Sequence, residues 1–165
     1  MSLPDLLHPV VRRRIDEIGA EFEVMRCDPD FADTAAFVEA YGVPLERSAN
    51  TIVVASKGDE PTYVACVVLA NTSLDVNRVV RREMGVRKAS FAGADPVRAL
   101  TDMEIGGVTP FGLPDDLPIL VDARVMDQEW IVLGGGNRSS KLKLSPDALR
   151  LLPTVRVVEG LAFVR

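Results

Sequence analysis

The sequence predicts an α+β fold, a central mixed β-sheet or partly closed barrel with peripheral helices, in a single domain over residues 1–165. Three observations carry that expectation. Thr62–Ala70 is apolar on both alternating faces, Val64, Cys66 and Val68 against Ala65, Val67 and Leu69, which is the pattern of a strand covered on both sides. Strand-like and helix-like segments follow one another in mixed rather than strictly alternating order, which favours a mixed sheet over a doubly wound one. The 165 residues, 47% apolar and 26% charged, suffice for a core that needs no covalent staples.

The elements read as follows. Pro4–Ile18 places Leu7, Val11, Ile15 and Ile18 near one helical face, and Gly19 ends the run. Phe22–Cys27 is a short strand. Asp33 is positioned to cap a helix over Thr34–Tyr41, closed by Gly42. Thr51–Ser56 and Thr62–Ala70 form a strand pair across Lys57-Gly58-Asp59-Glu60. Asp75 starts a helix with Val76, Val79, Val80 and Met84 on one side, ended by Gly85. Asp95-Pro96 reads as a cap followed by proline at the first helical position, giving a helix over Pro96–Met103. Strands follow at Ile119–Asp122, Trp130–Leu133 and Lys141–Leu144. Ser145-Pro146 then opens a helix to Leu152, and Thr154–Val158 is the last strand.

Composition narrows the chemistry. No apolar run reaches bilayer-spanning length, and Pro4, Asp5 and His8 interrupt any signal-peptide pattern, which points away from a membrane and to a cytoplasmic setting. The single histidine, His8, sits in the first helix beside Pro9 and reads as a surface or cap residue. Ser–His–Asp and Cys–His catalysis therefore lack a base. Cys66 lies within the most apolar strand and reads as core. Cys27 has no partner, and neither cysteine falls in a metal-binding spacing, so neither metal nor cofactor is expected.

Two glycine-bearing segments stand out, Gly106-Gly107-Val108-Thr109-Pro110-Phe111-Gly112 and Gly134-Gly135-Gly136-Asn137-Arg138. Glycine is favoured where the backbone needs positive φ or where another molecule must approach the main chain closely, so the two loops suggest a pocket built from backbone amides and carbonyls. The second fits no phosphate motif, lacking the glycine before lysine of a P-loop. It reads either as an anion- or carbonyl-binding concavity or as a hairpin loop with a bulge. Basic residues cluster in two places. Arg78, Arg81, Arg82, Arg87 and Lys88 lie on and just beyond one helix, and Arg138, Lys141 and Lys143 lie beside the triple glycine, within a chain of net charge −5. A solvated helix face accounts for the first group, unless the two meet and track phosphates.

The order of these segments resembles the YbaK/prolyl-tRNA-synthetase-associated domain family, which includes free-standing aminoacyl-tRNA deacylases. The likeness runs through Asp33-Thr34-Ala35, Tyr41-Gly42-Val43, the strand pair over 51–70, Gly106–Leu113, Pro118–Asp122, Gly134–Arg138 and Lys141–Leu144. It implies hydrolysis of the ester joining a misplaced amino acid to tRNA. Gly106, Gly107, Val108, Thr109, Pro110 and Gly136 would bind the aminoacyl group, and Gly134 and Gly135 would supply backbone groups near the scissile ester. Arg138 and Lys141, with Arg81 and Arg82, would dock tRNA. Misacylated tRNA is the implied partner, with an aminoacyl-tRNA synthetase as a further candidate. The chain departs from the family where many relatives carry a lysine before the first core strand. Asn50 stands there, an amide that donates and accepts hydrogen bonds but carries no charge. Lys57 lies seven residues away, about 23 Å along a strand, too far to substitute. Three readings follow: a trans-editing hydrolase in which Asn50 takes part, a binding module that kept only the pocket, or a hydrolase of small esters.

Overall fold

The computed structural model describes residues 6–164. In chain order the regular elements are α1 (Pro9–Ile18), β1 (Glu23–Arg26), α2 (Thr34–Tyr41), β2 (Ala49–Ser56), β3 (Tyr63–Leu69), β4 (Thr72–Leu74), a π-helical turn (Val76–Val80) and α3 (Arg81–Met84). There follow β5 (Ala89–Phe91), α4 (Ala94–Thr101), β6 (Ile119–Asp122), α5 (Ala123–Met126), β7 (Ile131–Gly134), β8 (Ser140–Leu144), β9 (Val155–Val158) and β10 (Ala162–Val164).

The central sheet is mixed and five-stranded, in the order β5-β2-β3-β6-β9. β2 pairs antiparallel with β3 and β5, whereas β3–β6 and β6–β9 are parallel. A three-stranded sheet, β1-β8-β7, lies beside it, and β4 pairs with β10. Only the parallel bridge Ser48–Val132 joins the three-stranded sheet to the start of β2, among the described residues. Of the two arrangements expected, the mixed sheet is the one that forms; it does not close into a barrel.

β3 is buried on both faces, as its sequence requires. Cys66 and Val68 join Val54, Val80, Leu120 and Leu161 on one side. Val67 and Leu69 join Ile15, Phe111, Ile119 and Leu142 on the other. A third cluster sets Phe37 of α2 against Cys27, Val43 and Val132. Cys66 is fully buried and burial pushes its thiol up to about 12, the behaviour of a packing residue rather than a nucleophile.

Several boundaries move for local reasons. The first helix starts at Pro9 rather than Pro4: Leu6, Leu7 and His8 are not helical, His8 caps the helix with Pro9 at its first position, and Pro4 and Asp5 lie outside the described residues. β2 starts at Ala49, because Ala49 and Asn50 pair with Leu69 and Val68, so Asn50 belongs to the strand itself. Asp75 caps a π turn rather than an α-helix, its carboxylate accepting from the Arg78 amide. Gly93, not Asp95, occupies the cap of α4, placing Asp95 in the first turn. The segment after Ser145 is a 3-10 helix, Pro146–Leu151. β4, β5 and β10 have three residues each, too short for alternation to register in sequence. No helix among the described residues is long and apolar enough to cross a membrane.

Phe111, fully buried, anchors the first glycine segment to the largest core cluster. Phe111→Ala is expected to lower unfolding free energy by about 3–5 kcal/mol in urea titration.

Candidate functional site

The two glycine segments meet backbone to backbone. The Gly136 amide donates to the Gly107 carbonyl at 2.7 Å. A Cβ on Gly134 would overlap that same carbonyl, and one on Gly107 would overlap the Asn137 carbonyl. The close approach that demands glycine is therefore between two parts of this chain. Residues 135–139 also connect β7 to β8 as a hairpin, the Gly135 amide donating to Ser140 O at 3.2 Å. The hairpin reading is thus fulfilled together with the contact.

Beside this junction lies a cavity of about 380 Å³. Its walls come from the start of β2 (Ser48 to Val53), the loop residues Ile105, Gly106 and Val108, and Leu133, Gly134 and Lys141 of the hairpin. Asp33 and Thr34 contribute from the start of α2. The Thr34 hydroxyl donates to Asn50 Oδ1, which fixes the amide and leaves Nδ2 as its remaining donor. Thr51 Oγ1 is buried without a hydrogen-bond partner.

Lys141 is the cavity's cation. It is 7% exposed, and Nζ donates to Ala32 O at 2.7 Å and Gly106 O at 3.1 Å, with the Phe37 ring centroid 5.2 Å away. Burial is the main cause that pulls its ammonium below the usual lysine value, with Asp33 opposing and Arg138 adding to the shift. The sequence marks Lys141 as a docking charge beside the glycines. In the fold, its register opposite Gly134 turns it inward.

Arg138 is a clamp. Its guanidinium donates to Pro29 O at 2.8 and 3.2 Å, to Ile105 O at 2.9 Å and to Asp33 Oδ1 at 3.2 Å. Asp33 accordingly makes no side-chain cap bond to α2, because its carboxylate is turned to Arg138.

Of the residues singled out in sequence, Asn50, Gly106, Val108, Gly134 and Lys141 line the cavity. Gly107, Thr109, Pro110, Gly135 and Gly136 do not. Gly135 is turned to Ser140 through its amide and to the His8 amide through its carbonyl. Arg81 and Arg82 lie on α3, away from the cavity walls, Arg81 donating to Asn77 O and Arg87 O. The two basic groups of the sequence do not converge on this cavity. His8 caps α1, its Nδ1 accepting from the Val10 amide at 3.1 Å. Sequence reasoning missed Thr51 and Phe91 as wall residues. Thr51 follows Asn50 directly, but nothing local marks Phe91, which arrives through β5 pairing with β2. Among the described residues no group of three or more His, Cys, Asp or Glu side chains could hold a metal ion.

A mixed-sheet domain with an amide- and lysine-lined cavity behind paired glycine loops is the class of protein these features define. The sequence model described as Aminoacyl-tRNA editing domain matches residues 28–152, and the chain belongs to that family. Its relatives include the uncharacterized protein YwhH of Bacillus subtilis (strain 168), 29% identical over 139 residues, 84% of this chain and 86% of that one. EbsC of Enterococcus faecalis (strain ATCC 700802 / V583), named as a candidate Cys-tRNA(Pro)/Cys-tRNA(Cys) deacylase, is 22% identical over 130 residues, 79% of this chain and 77% of its own. A crystal structure of a candidate trans-editing enzyme for prolyl tRNA synthetase has the same fold. It superposes with a TM-score of 0.77 at 22% identity, over 93% of this chain and 97% of that one.

Two outcomes test the junction and the buried cation. Gly134→Ala forces a Cβ into the Gly107 and Val108 carbonyls, and should cost about 1–3 kcal/mol by urea unfolding. For Lys141, the folded state holds the proton less tightly than the unfolded chain. The unfolded chain therefore binds more protons between the two values, and this contribution to stability grows as pH rises toward 10.5. Lys141→Met should flatten that alkaline rise when unfolding free energy is measured across pH.

Proposed function

We propose that the chain is a trans-editing aminoacyl-tRNA deacylase, cleaving the ester of a misacylated tRNA whose aminoacyl group occupies the cavity between β2 and the Gly106 loop. The observation that carries this reading is the convergence of Asn50, Gly106, Gly134 and Lys141 on one cavity in a chain of the editing family. Water attacks the ester carbonyl, negative charge gathers on its oxygen, and the ester C–O bond breaks to release the terminal ribose hydroxyl and the free amino acid. Such an ester is activated, so holding the water and binding the oxyanion can suffice without a histidine base.

Asn50 Nδ2 and the Lys141 ammonium are the donors assigned to the oxyanion, and Gly134 lends its main chain to the wall nearest the ester. Two of the three Lys141 N–H groups are engaged by Ala32 O and Gly106 O, which leaves one for substrate. Gly106 and Val108 shape the aminoacyl pocket. Gly107, Gly135 and Gly136 act indirectly, by holding the two loops together, and Arg138 by tying Asp33 to Ile105. Arg81 and Arg82 remain as charges for the tRNA body. An aminoacyl-tRNA synthetase is a further candidate partner.

One feature favours a second reading, a module that binds aminoacyl-tRNA without cleaving it: Asn50 brings no charge where many relatives carry lysine. A deacylation screen over several misacylated tRNAs separates the two. The hydrolase reading expects release of at least one amino acid, with kcat/KM reduced about 100-fold in Asn50→Ala and the urea midpoint little changed. Retained tRNA binding with hydrolysis of none would leave the binding module.

A further inference from the structure

We propose that Phe91 and Phe163 form a stacking platform for the unpaired 3′-terminal bases of the RNA whose aminoacyl end enters the cavity. This rests on the aminoacyl-RNA reading above and assigns the part of the surface that would hold the nucleotides.

Phe91 is the last residue of β5, an edge strand, and is 61% exposed although it also lines the cavity. The same ring borders a second depression of about 290 Å³, and Phe163 of β10, 53% exposed, lines that depression too. Leu74 and Val76 supply further apolar wall, and Asn77 and Ser90 supply amide and hydroxyl groups able to meet base edges. The Phe91 ring is shared by the two concavities, which sets the outer depression next to the aminoacyl cavity. Single-stranded nucleic acid is bound in this way, by aromatic side chains that accept a base face while nearby cations take the phosphates.

The charge around the depression suits that occupant. The π turn that supplies Val76 and Asn77 also carries Arg78, whose side chain is largely exposed and meets Asp75 at 3.8 Å. Arg81, Arg82, Arg87 and Lys88 follow within eleven positions, in a chain whose net charge is −5. An RNA strand leaving the depression on that side would meet the most basic stretch of the sequence. Asp75 is the one acidic residue in the wall, and its carboxylate is engaged by the Arg78 amide and guanidinium.

The test is fluorescence anisotropy with a short 5′-labelled single-stranded RNA ending C-C-A, and the same RNA with an abasic 3′-terminal nucleotide. Phe91→Ala should weaken binding of the intact RNA about five- to one-hundred-fold, Phe91→Trp should retain it, and Phe163→Ala should also weaken it. Removing the terminal base should weaken binding to the wild type but not further to Phe91→Ala. Absence of wild-type binding, equal affinity of wild type and Phe91→Ala, or equal loss in the Ala and Trp variants would overturn the platform. So would a dimer in sedimentation that Phe91→Ala dissociates with RNA affinity unchanged, since a second copy would then cover these rings. Phe91-dependent RNA binding without deacylation of any tRNA would keep the platform and remove the hydrolase. Deacylation by the wild type, with RNA binding and turnover unchanged in Phe91→Ala, would do the reverse.

Discussion

The backbone contact between Gly107 and the Gly134–Gly136 turn is the constraint on which the rest of the site depends. The 2.7 Å hydrogen bond from the Gly136 amide to the Gly107 carbonyl brings together loops some thirty residues apart, at a separation no side chain would tolerate. The contact extends outward on both sides. The Glu104 amide donates to Gly136 O, and the His8 amide donates to Gly135 O, so the start of α1 is held against the hairpin. Asn137 adds a bond from Nδ2 to Leu6 O and accepts from Ser139 and Ser140 through Oδ1. With that geometry set, the strand register opposite Gly134 puts Lys141 in the cavity wall and within reach of Gly106 O.

The two cations at this junction are unlike in cost and effect. Arg138 is partly exposed and spreads its donors over three segments, where a planar guanidinium can serve several oxygens at once. Lys141 is compact and buried, and its two carbonyl partners offset only part of the penalty for removing an ammonium from water. A neutral residue, Asn50, shares the cavity wall with this ammonium. A lysine there would set a second positive charge on the same cavity wall, and like charges in one small site disfavour each other's ionised form. Asn50 keeps a hydrogen-bond donor without that repulsion, and Thr34 holds its orientation.

The glycine segments show how a correct signal can carry an incomplete reason. Glycine implies close approach, and close approach is what the structure has, but the approaching group is the chain's own backbone. Gly107 and Gly136 thus hold the two loops together, and Gly135 closes the hairpin, through their own backbone hydrogen bonds. Gly135 and Gly136 are the plainest cases: their amides already donate to Ser140 O and Gly107 O.

What the sequence determined by itself is the part governed by local periodicity and by residues with restricted conformations. The double-faced apolar pattern of Val64–Leu69 identified the central strand. Gly19, Gly42 and Gly85 marked helix ends that each adopt φ 69°, whereas His8, legible only as a surface or cap residue within a longer helix, is the cap because α1 starts at Pro9. Strands of three residues were not legible, because β4, β5 and β10 exist only through their pairing partners. Tertiary structure alone decided which residues share the cavity. Lys141 faces inward because β8 pairs with both β1 and β7, and Phe91 reaches the cavity because β5 pairs with β2. Those are non-local registers, and period-two alternation says which residues share a face without saying what that face will meet.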